Sequence, residues 1–153
     1  MIGGSCLCGA VTYSVHGPLR PVIACHCEQC RKTSGHFVAA TSAPREAVKI
    51  VGEVLWFVSS ATARRGFCSV CGSSLFWDGA GMNLSIHAGT LDTPTGLSVA
   101  GHIFCADKGD YYTLADSVPQ ADGADPKLTT MVAGYRADAP GVTSPVPRVR
   151  EDH

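Results

Sequence analysis

The sequence predicts a mainly β domain with one or two short helical turns. Short runs rich in β-branched and aromatic residues recur along most of the chain, separated by turn residues. No segment of ten or more residues sustains a helical period. Residues 10–15, Ala-Val-Thr-Tyr-Ser-Val, alternate apolar and polar as a half-buried strand does, and Gly17-Pro18 stops them. Residues 36–41, 48–51 and 54–58 read as further strands, with Gly52-Glu53 as a tight turn between the last two. Residues 74–77, 84–88 and 102–105 complete the set, which places Cys105 in an apolar strand. A short helix is expected after Cys27, through Glu28, Gln29 and Lys32, ended by Ser34-Gly35. Residues 114–116 read as a second single turn.

Composition changes after Pro119. Residues 121–126 and 139–147 have loop composition, and only residues 128–135 between them are apolar. The expectation is a domain over residues 1–120 and a C-terminal tail over 121–153 that wraps the domain or stays mobile.

At 153 residues, 45% hydrophobic and 16% charged, the chain can bury a core as one domain. A formal net charge of −1 argues against binding nucleic acid through a basic field. No apolar run reaches the roughly 18–20 residues of a membrane span. The N-terminus, Met1-Ile2-Gly3-Gly4-Ser5-Cys6, lacks the regions of a signal peptide. A cytoplasmic location is therefore expected, where thiols are kept reduced.

The eight cysteines thus ask for an explanation other than disulfides. Seven fall into three clusters: Cys6-Leu7-Cys8, Cys25-His26-Cys27-Glu28-Gln29-Cys30 and Cys68-Ser69-Val70-Cys71. Tetrahedral Zn–S bonds of about 2.3 Å require ligand sulfurs about 3.8 Å apart. A C-x-x-C turn brings two sulfurs that close, and Gly72 suits the left-handed backbone such a turn demands. A straight strand holds side chains i and i+2 nearly 7 Å apart, so a C-x-C pair at one metal implies a bend at Leu7. Sulfur-rich tetrahedral sites suit zinc or iron–sulfur clusters, and zinc is the better fit here.

Seven thiolates divide as four plus three. Cys6, Cys8, Cys68 and Cys71 read as a closed structural site. Cys25, Cys27 and Cys30 leave a fourth position for water, substrate or a protein side chain. If His26, His36 or another side chain fills that position, the second site is structural too. His26 lies between two ligands and is expected to point away, beside the site or in its wall. Cys105 has no cysteine neighbour and reads as a small core residue. His87 and His102 lie on predicted strands and read as core or wall residues.

These stretches carry a family resemblance. Gly4-Ser5-Cys6-Leu7-Cys8-Gly9-Ala10-Val11, Cys25-His26-Cys27-Glu28-Gln29-Cys30-Arg31-Lys32-Thr33-Ser34-Gly35 and Arg65-Gly66-Phe67-Cys68-Ser69-Val70-Cys71-Gly72 resemble the glutathione-dependent formaldehyde-activating enzymes, the centromere-protein-V-like domain. Ala88-Gly89-Thr90-Leu91-Asp92 and His102-Ile103-Phe104 add weaker matches. The resemblance implies packed antiparallel sheets of the Rab-exchange-factor-like zinc fold. It implies two Zn2+ sites: a structural one on Cys6, Cys8, Cys68 and Cys71, and a second on Cys25, Cys27 and Cys30. It also implies a carbon–sulfur lyase that joins formaldehyde and glutathione into S-hydroxymethylglutathione.

On that reading the substrate thiol takes the open zinc position as a thiolate and serves as nucleophile or leaving group. Arg31, Lys32, Arg65 and Lys108 are the cations nearest the motifs that could pair with the substrate's carboxylates. His36 is the candidate acid for the new alkoxide, with His26 second. The expected partners are a small thiol such as glutathione and a small aldehyde, with no nucleic acid and no membrane. The oligomeric state is open, a homodimer being one form allowed. The competing reading is a non-enzymatic zinc module that binds a protein partner.

Overall fold

The computed structural model describes residues 1–130. Its strands are β1 (Ile2–Ser5), β2 (Thr12–Val15), β3 (Val22–Cys25), β4 (Val38–Pro44), β5 (Val48–Val51), β6 (Val54–Val58), β7 (Arg64–Cys68), β8 (Ser74–Asp78), β9 (Asn83–His87) and β10 (Val99–Ile103). The helices are α1 (Glu28–Ser34) and α2 (Pro126–Thr129), with single 3-10 turns at Arg45–Ala47, Ala88–Thr90 and Cys105–Asp107. The fold is mainly β, as the alternation predicts.

Two sheets form. The small one has the order β1-β2-β5, and the large one β10-β3-β4-β9-β8-β7-β6. Every pairing is antiparallel except β10 with β3, which run parallel. Antiparallel sheets alone therefore do not describe the molecule. The long connection from β9 to β10 carries the chain back to enter beside β3 in the same direction.

The main core lies between the sheets. Tyr13 and Val15 alternate inward from β2 and, with Val11, meet Ala43, Phe76, Leu84 and Ile86 of the large sheet. Tyr13 and Phe76 meet edge to face at 5.3 Å, and the Tyr13 hydroxyl reaches Thr90 Oγ1 at 2.6 Å. The opposite face of the large sheet carries a second cluster, in which Val38 and Ala40 of β4 pack with Cys30, Cys25 and Cys27. One strand thus serves both faces, as the two-residue period requires. Thr41 and Ala43 pair with Ile86 and Leu84 toward the core, and Ala40 pairs with His87 on the far side.

Residues 114–116 form no helical turn. They are held by Asp116, which accepts a hydrogen bond from a histidine on β10. The last strand ends at Ile103, so Cys105 is not in a strand. Phe104 takes a left-handed backbone (φ 55°), and Cys105 opens a 3-10 turn, half-buried. Three strands escape the pattern. β1 carries two glycines in four residues, which leaves no strand pattern to read. β3 is four residues ending in a cysteine motif, and β7 (Arg-Arg-Gly-Phe-Cys) is too charged to look like a strand.

Of the expected tail, residues 121–130 are described and the remainder lies outside the described residues. Residues 119–123 run along β10, with His102 N–H donating to the Pro119 carbonyl and Ala121 N–H to the His102 carbonyl, at 2.9 Å each. Leu128 of α2 is buried against Gly101.

Candidate metal centres

Two sulfur clusters form, with the membership that the spacing predicts. The Sγ atoms of Cys6, Cys8, Cys68 and Cys71 lie within 4.8 Å of one another, as do those of Cys25, Cys27 and Cys30. In the quartet, Cys6 and Cys8 are 3.6 Å apart and Cys8 and Cys68 are 3.8 Å apart. Tetrahedral zinc sulfurs would sit about 3.8 Å apart, so the donor set fits that ion.

Each knuckle of the quartet turns on a left-handed glycine, Gly9 (φ 78°) after Cys8 and Gly72 (φ 73°) after Cys71. The bend at Leu7 throws that side chain outward, 91% exposed. Backbone N–H groups converge on the sulfurs: Val11 on Cys6 at 3.3 Å, and Val70 and Cys71 on Cys68 at 3.3 and 3.5 Å. Such donors favour the thiolate form. Ser73 links the knuckles, accepting from Leu7 N–H at 3.0 Å while its hydroxyl meets Cys71 Sγ at 3.1 Å. It lies outside any cysteine motif, and spacing arguments do not reach it.

The triplet is built at one helix start. Cys25 ends β3, Cys27 caps α1 and accepts from Cys30 N–H at 3.4 Å, and Cys30 lies within α1, buried. The helix stops at Gly35, whose φ of 84° and N–H bond to the Arg31 carbonyl close its last turn. Hydrogen bonding to Cys25 drops Cys27 to about 2, while Cys25 is pushed far up, chiefly by the thiolate of Cys27. Three thiolates at this spacing need a cation to coexist. The triplet is therefore fit to hold a metal ion.

Among the described residues, neither His26 nor His36 joins the mutually close ligand atoms of the triplet. His26 is fully buried and enters a hydrogen-bonded chain. Its Nε2 lies 2.9 Å from His102 Nδ1, and its Nδ1 lies 2.5 Å from the Tyr112 hydroxyl. His102 Nε2 in turn lies 2.8 Å from Asp116. A carboxylate only accepts, so His102 Nε2–H donates to Asp116; with one proton on each imidazole, His26 Nε2–H then donates to His102 and the Tyr112 hydroxyl to His26. Burial lowers His26 to about 4, so it stays neutral near pH 7, as this order requires. His36 lies between Phe37 and Tyr112, its Nδ1 paired with the Tyr111 hydroxyl at 2.7 Å. The tyrosines of this wall lie far along the chain from the cysteines, and no motif announces them.

The predicted cations separate. Arg65 is buried, and its two terminal nitrogens stand 3.7 and 3.8 Å from Cys30 Sγ, one of them also 3.3 Å from Gln29 Oε1. Lys32 is exposed and pairs with Glu28 at 3.5 Å. Arg31 is half-buried, and its Nε has no partner among the described residues. Lys108 donates to the Tyr112 carbonyl at 2.8 Å and stands 5.1 Å from that ring's centre. Beside the triplet, on the same face of the large sheet, a cleft of about 270 Å³ opens between Thr33 of α1 and Phe57, Arg65 and His87.

Sequence and structure comparisons agree with this picture. A family profile described as glutathione-dependent formaldehyde-activating enzyme matches residues 1–107. A Schizosaccharomyces pombe protein named as an uncharacterized lyase is 33% identical over 75 residues. That match covers 48% of this chain and 55% of the relative, so the chain spans about half of it. A crystal structure of a Rhodobacter sphaeroides protein aligns at a TM-score of 0.53 over 77% of this chain and 98% of that one. At 21% identity this is a likeness of fold. Among the described residues, no helix is long and apolar enough to cross a membrane.

Proposed function

Because this chain belongs to the glutathione-dependent formaldehyde-activating enzyme family, we propose that it is a zinc-dependent carbon–sulfur lyase. Its substrates would be adducts of glutathione, or a similar small thiol, with formaldehyde or another small aldehyde. The observation that carries this reading is the asymmetry of the two sulfur clusters: four cysteines close one, and three cysteines with no histidine among them form the other. A closed site serves structure, and an open one serves chemistry. Zinc would be held by Cys6, Cys8, Cys68 and Cys71, and by Cys25, Cys27 and Cys30. Bound at the triplet, it would hold a substrate thiol as the thiolate.

The chain's own residues supply the rest. Arg65 lies against Cys30 and offsets negative charge on the sulfurs, which lets a further thiolate approach. That task leaves Arg31 and Lys32 as the cations for the substrate's carboxylates. Lys32 is tied only by a surface ion pair, which is weak enough to exchange for another carboxylate. Tyr111 and Tyr112 are fixed by His36, just after the triplet in the sequence, and by His26, inside it. His36 can pass a proton between a bound substrate and solvent from its half-buried place. The metal-binding domain over residues 1–120, the tail over 121–153 and a cytoplasmic setting, where glutathione is at hand, belong to the same proposal.

X-ray absorption on the zinc-loaded protein tests it by counting sulfur ligands with and without glutathione. Two zinc ions per chain, and a mean sulfur count that rises when glutathione is added, is the expected result. A count unmoved by any thiol means a closed or empty triplet, and favours a non-enzymatic module that binds a protein partner.

A further inference from the structure

Two buried nitrogens in the cleft beside the triplet have no hydrogen-bond partner among the described residues: Arg65 Nε and His87 Nε2. They belong to the same place. Arg65 of β7 and His87 of β9 both line the cleft. Arg65 holds Cys30 through its other two nitrogens. His87 pairs across the sheet with Ala40, which packs on Cys30, Cys25 and Cys27. Buried polar atoms are normally satisfied, and two orphans on residues of one cleft mark a position that a polar group fills. Phe57 and Phe67 give the cleft apolar walls. The volume, about 270 Å³, lies at the small end for a ligand site, enough to enclose a fragment of the substrate.

We propose that this cleft holds the aldehyde-derived end of the thiol adduct, with Arg65 Nε–H donating to its oxygen and His87 Nε2 accepting its hydroxyl proton. The inference rests on the lyase reading above and adds the residues that handle the oxygen. In the cleavage direction the adduct's O–H bond breaks and its proton passes to His87 Nε2. The oxygen's electron pair forms the C=O bond, and the C–S bond breaks with its electron pair leaving on sulfur as the thiolate. In the condensation direction each movement reverses, and His87 returns the proton to the new hydroxyl. No oxidant or reductant is required.

Burial, with the nearby Arg65 charge, lowers His87 to about 4, so the imidazole is neutral and free to accept near pH 7. A weak base suffices, because the hydroxyl becomes strongly acidic as its carbon gains carbonyl character. His36 is the lesser candidate for this step, since its Nδ1 is already engaged by Tyr111.

The test uses the full-length zinc-loaded protein, His87→Leu and His87→Gln. Three quantities are measured: turnover of the glutathione–formaldehyde adduct, glutathione affinity by calorimetry, and the 15N signal of His87 in the unsubstituted protein. The expected result is a loss of about 100-fold or more in kcat for both variants, with unchanged glutathione affinity and zinc content. The Nε2 signal should move when glutathione and formaldehyde are added together, and not with glutathione alone. Variants that keep full turnover, or an Nε2 signal blind to formaldehyde, overturn the inference and leave the lyase reading standing. An unsubstituted protein that turns over no thiol–aldehyde adduct overturns both. If neither variant folds, the 15N measurement decides.

Discussion

At the scale of single residues, the seven clustered cysteines divide by what surrounds them. Cys68 and Cys71 join β7 and the turn after it to the loop that carries Cys6 and Cys8, across 60 residues of chain. Structural zinc can contribute on the order of 10 kcal/mol, comparable to a domain's whole net stability. Cys71→Ser is expected to give insoluble or unfolded protein. Cys27→Ser removes a sulfur from a local turn at the start of α1, so it is expected to keep the fold, bind one zinc fewer and lose activity. Circular dichroism, zinc content and turnover on the two variants check this, and equal unfolding of both would dissolve the division of labour. The two sulfur clusters were legible because metal geometry constrains sequence spacing directly. Ser73, Tyr111 and Tyr112 were not, since a hydroxyl that closes a hydrogen bond can arrive from anywhere in the chain. Arg65 was legible as a cation near a motif, and only the structure shows that its charge is turned onto Cys30.

At the scale of elements, alternation exposed the strands with one buried face, such as β2, and those bounded by clear turns, such as β5 and β6. It missed β7, where local charge outweighs pattern. The physical reason is a buried carboxylate. Asp78 on β8 accepts from Arg64 at 2.9 Å and from Arg45 Nε at 2.6 Å, while the Arg64 guanidinium lies 3.9 Å above the Trp56 ring. The arginine that disguises the strand is thus held by a partner on the next one. Removing one member of a buried ion pair leaves its partners uncompensated, at a cost of about 3 kcal/mol or more. Asp78→Ala should lower the urea midpoint accordingly with zinc content unchanged, and an unshifted midpoint would mean that these groups are hydrated in the fold. The helix α1 was legible for a complementary reason: its cap, Cys27, and its stop, Gly35, are both local.

At the scale of the whole molecule, the large sheet separates two tasks. One face closes the main core, and the other carries the triplet and the cleft. The parallel entry of β10 beside β3 was not legible, because no local pattern states which way a distant strand returns. Two histidines, His26 and His87, are lowered to about 4, chiefly by burial, and stay neutral near pH 7. The unfolded chain takes up those protons near pH 6.5, and the fold refuses them until about pH 4. Their contribution is therefore complete above pH 6.5 and is lost progressively as pH falls toward 4. Melting temperature should drop between pH 7.5 and 5, and His87→Gln should flatten part of that drop. An equal pH slope in the variant would show that His87 takes up its proton as readily in the fold as in the unfolded chain. The segment 119–123 that lies along β10 has a further consequence. It occupies the hydrogen-bonding edge there, so among the described residues the uncovered end of the large sheet is β6, where Leu55, Phe57 and Val58 stand exposed. Joining β6 to β6 would unite two copies about a two-fold axis, and that contact uses up the same edge of both, so it closes on a pair and does not propagate.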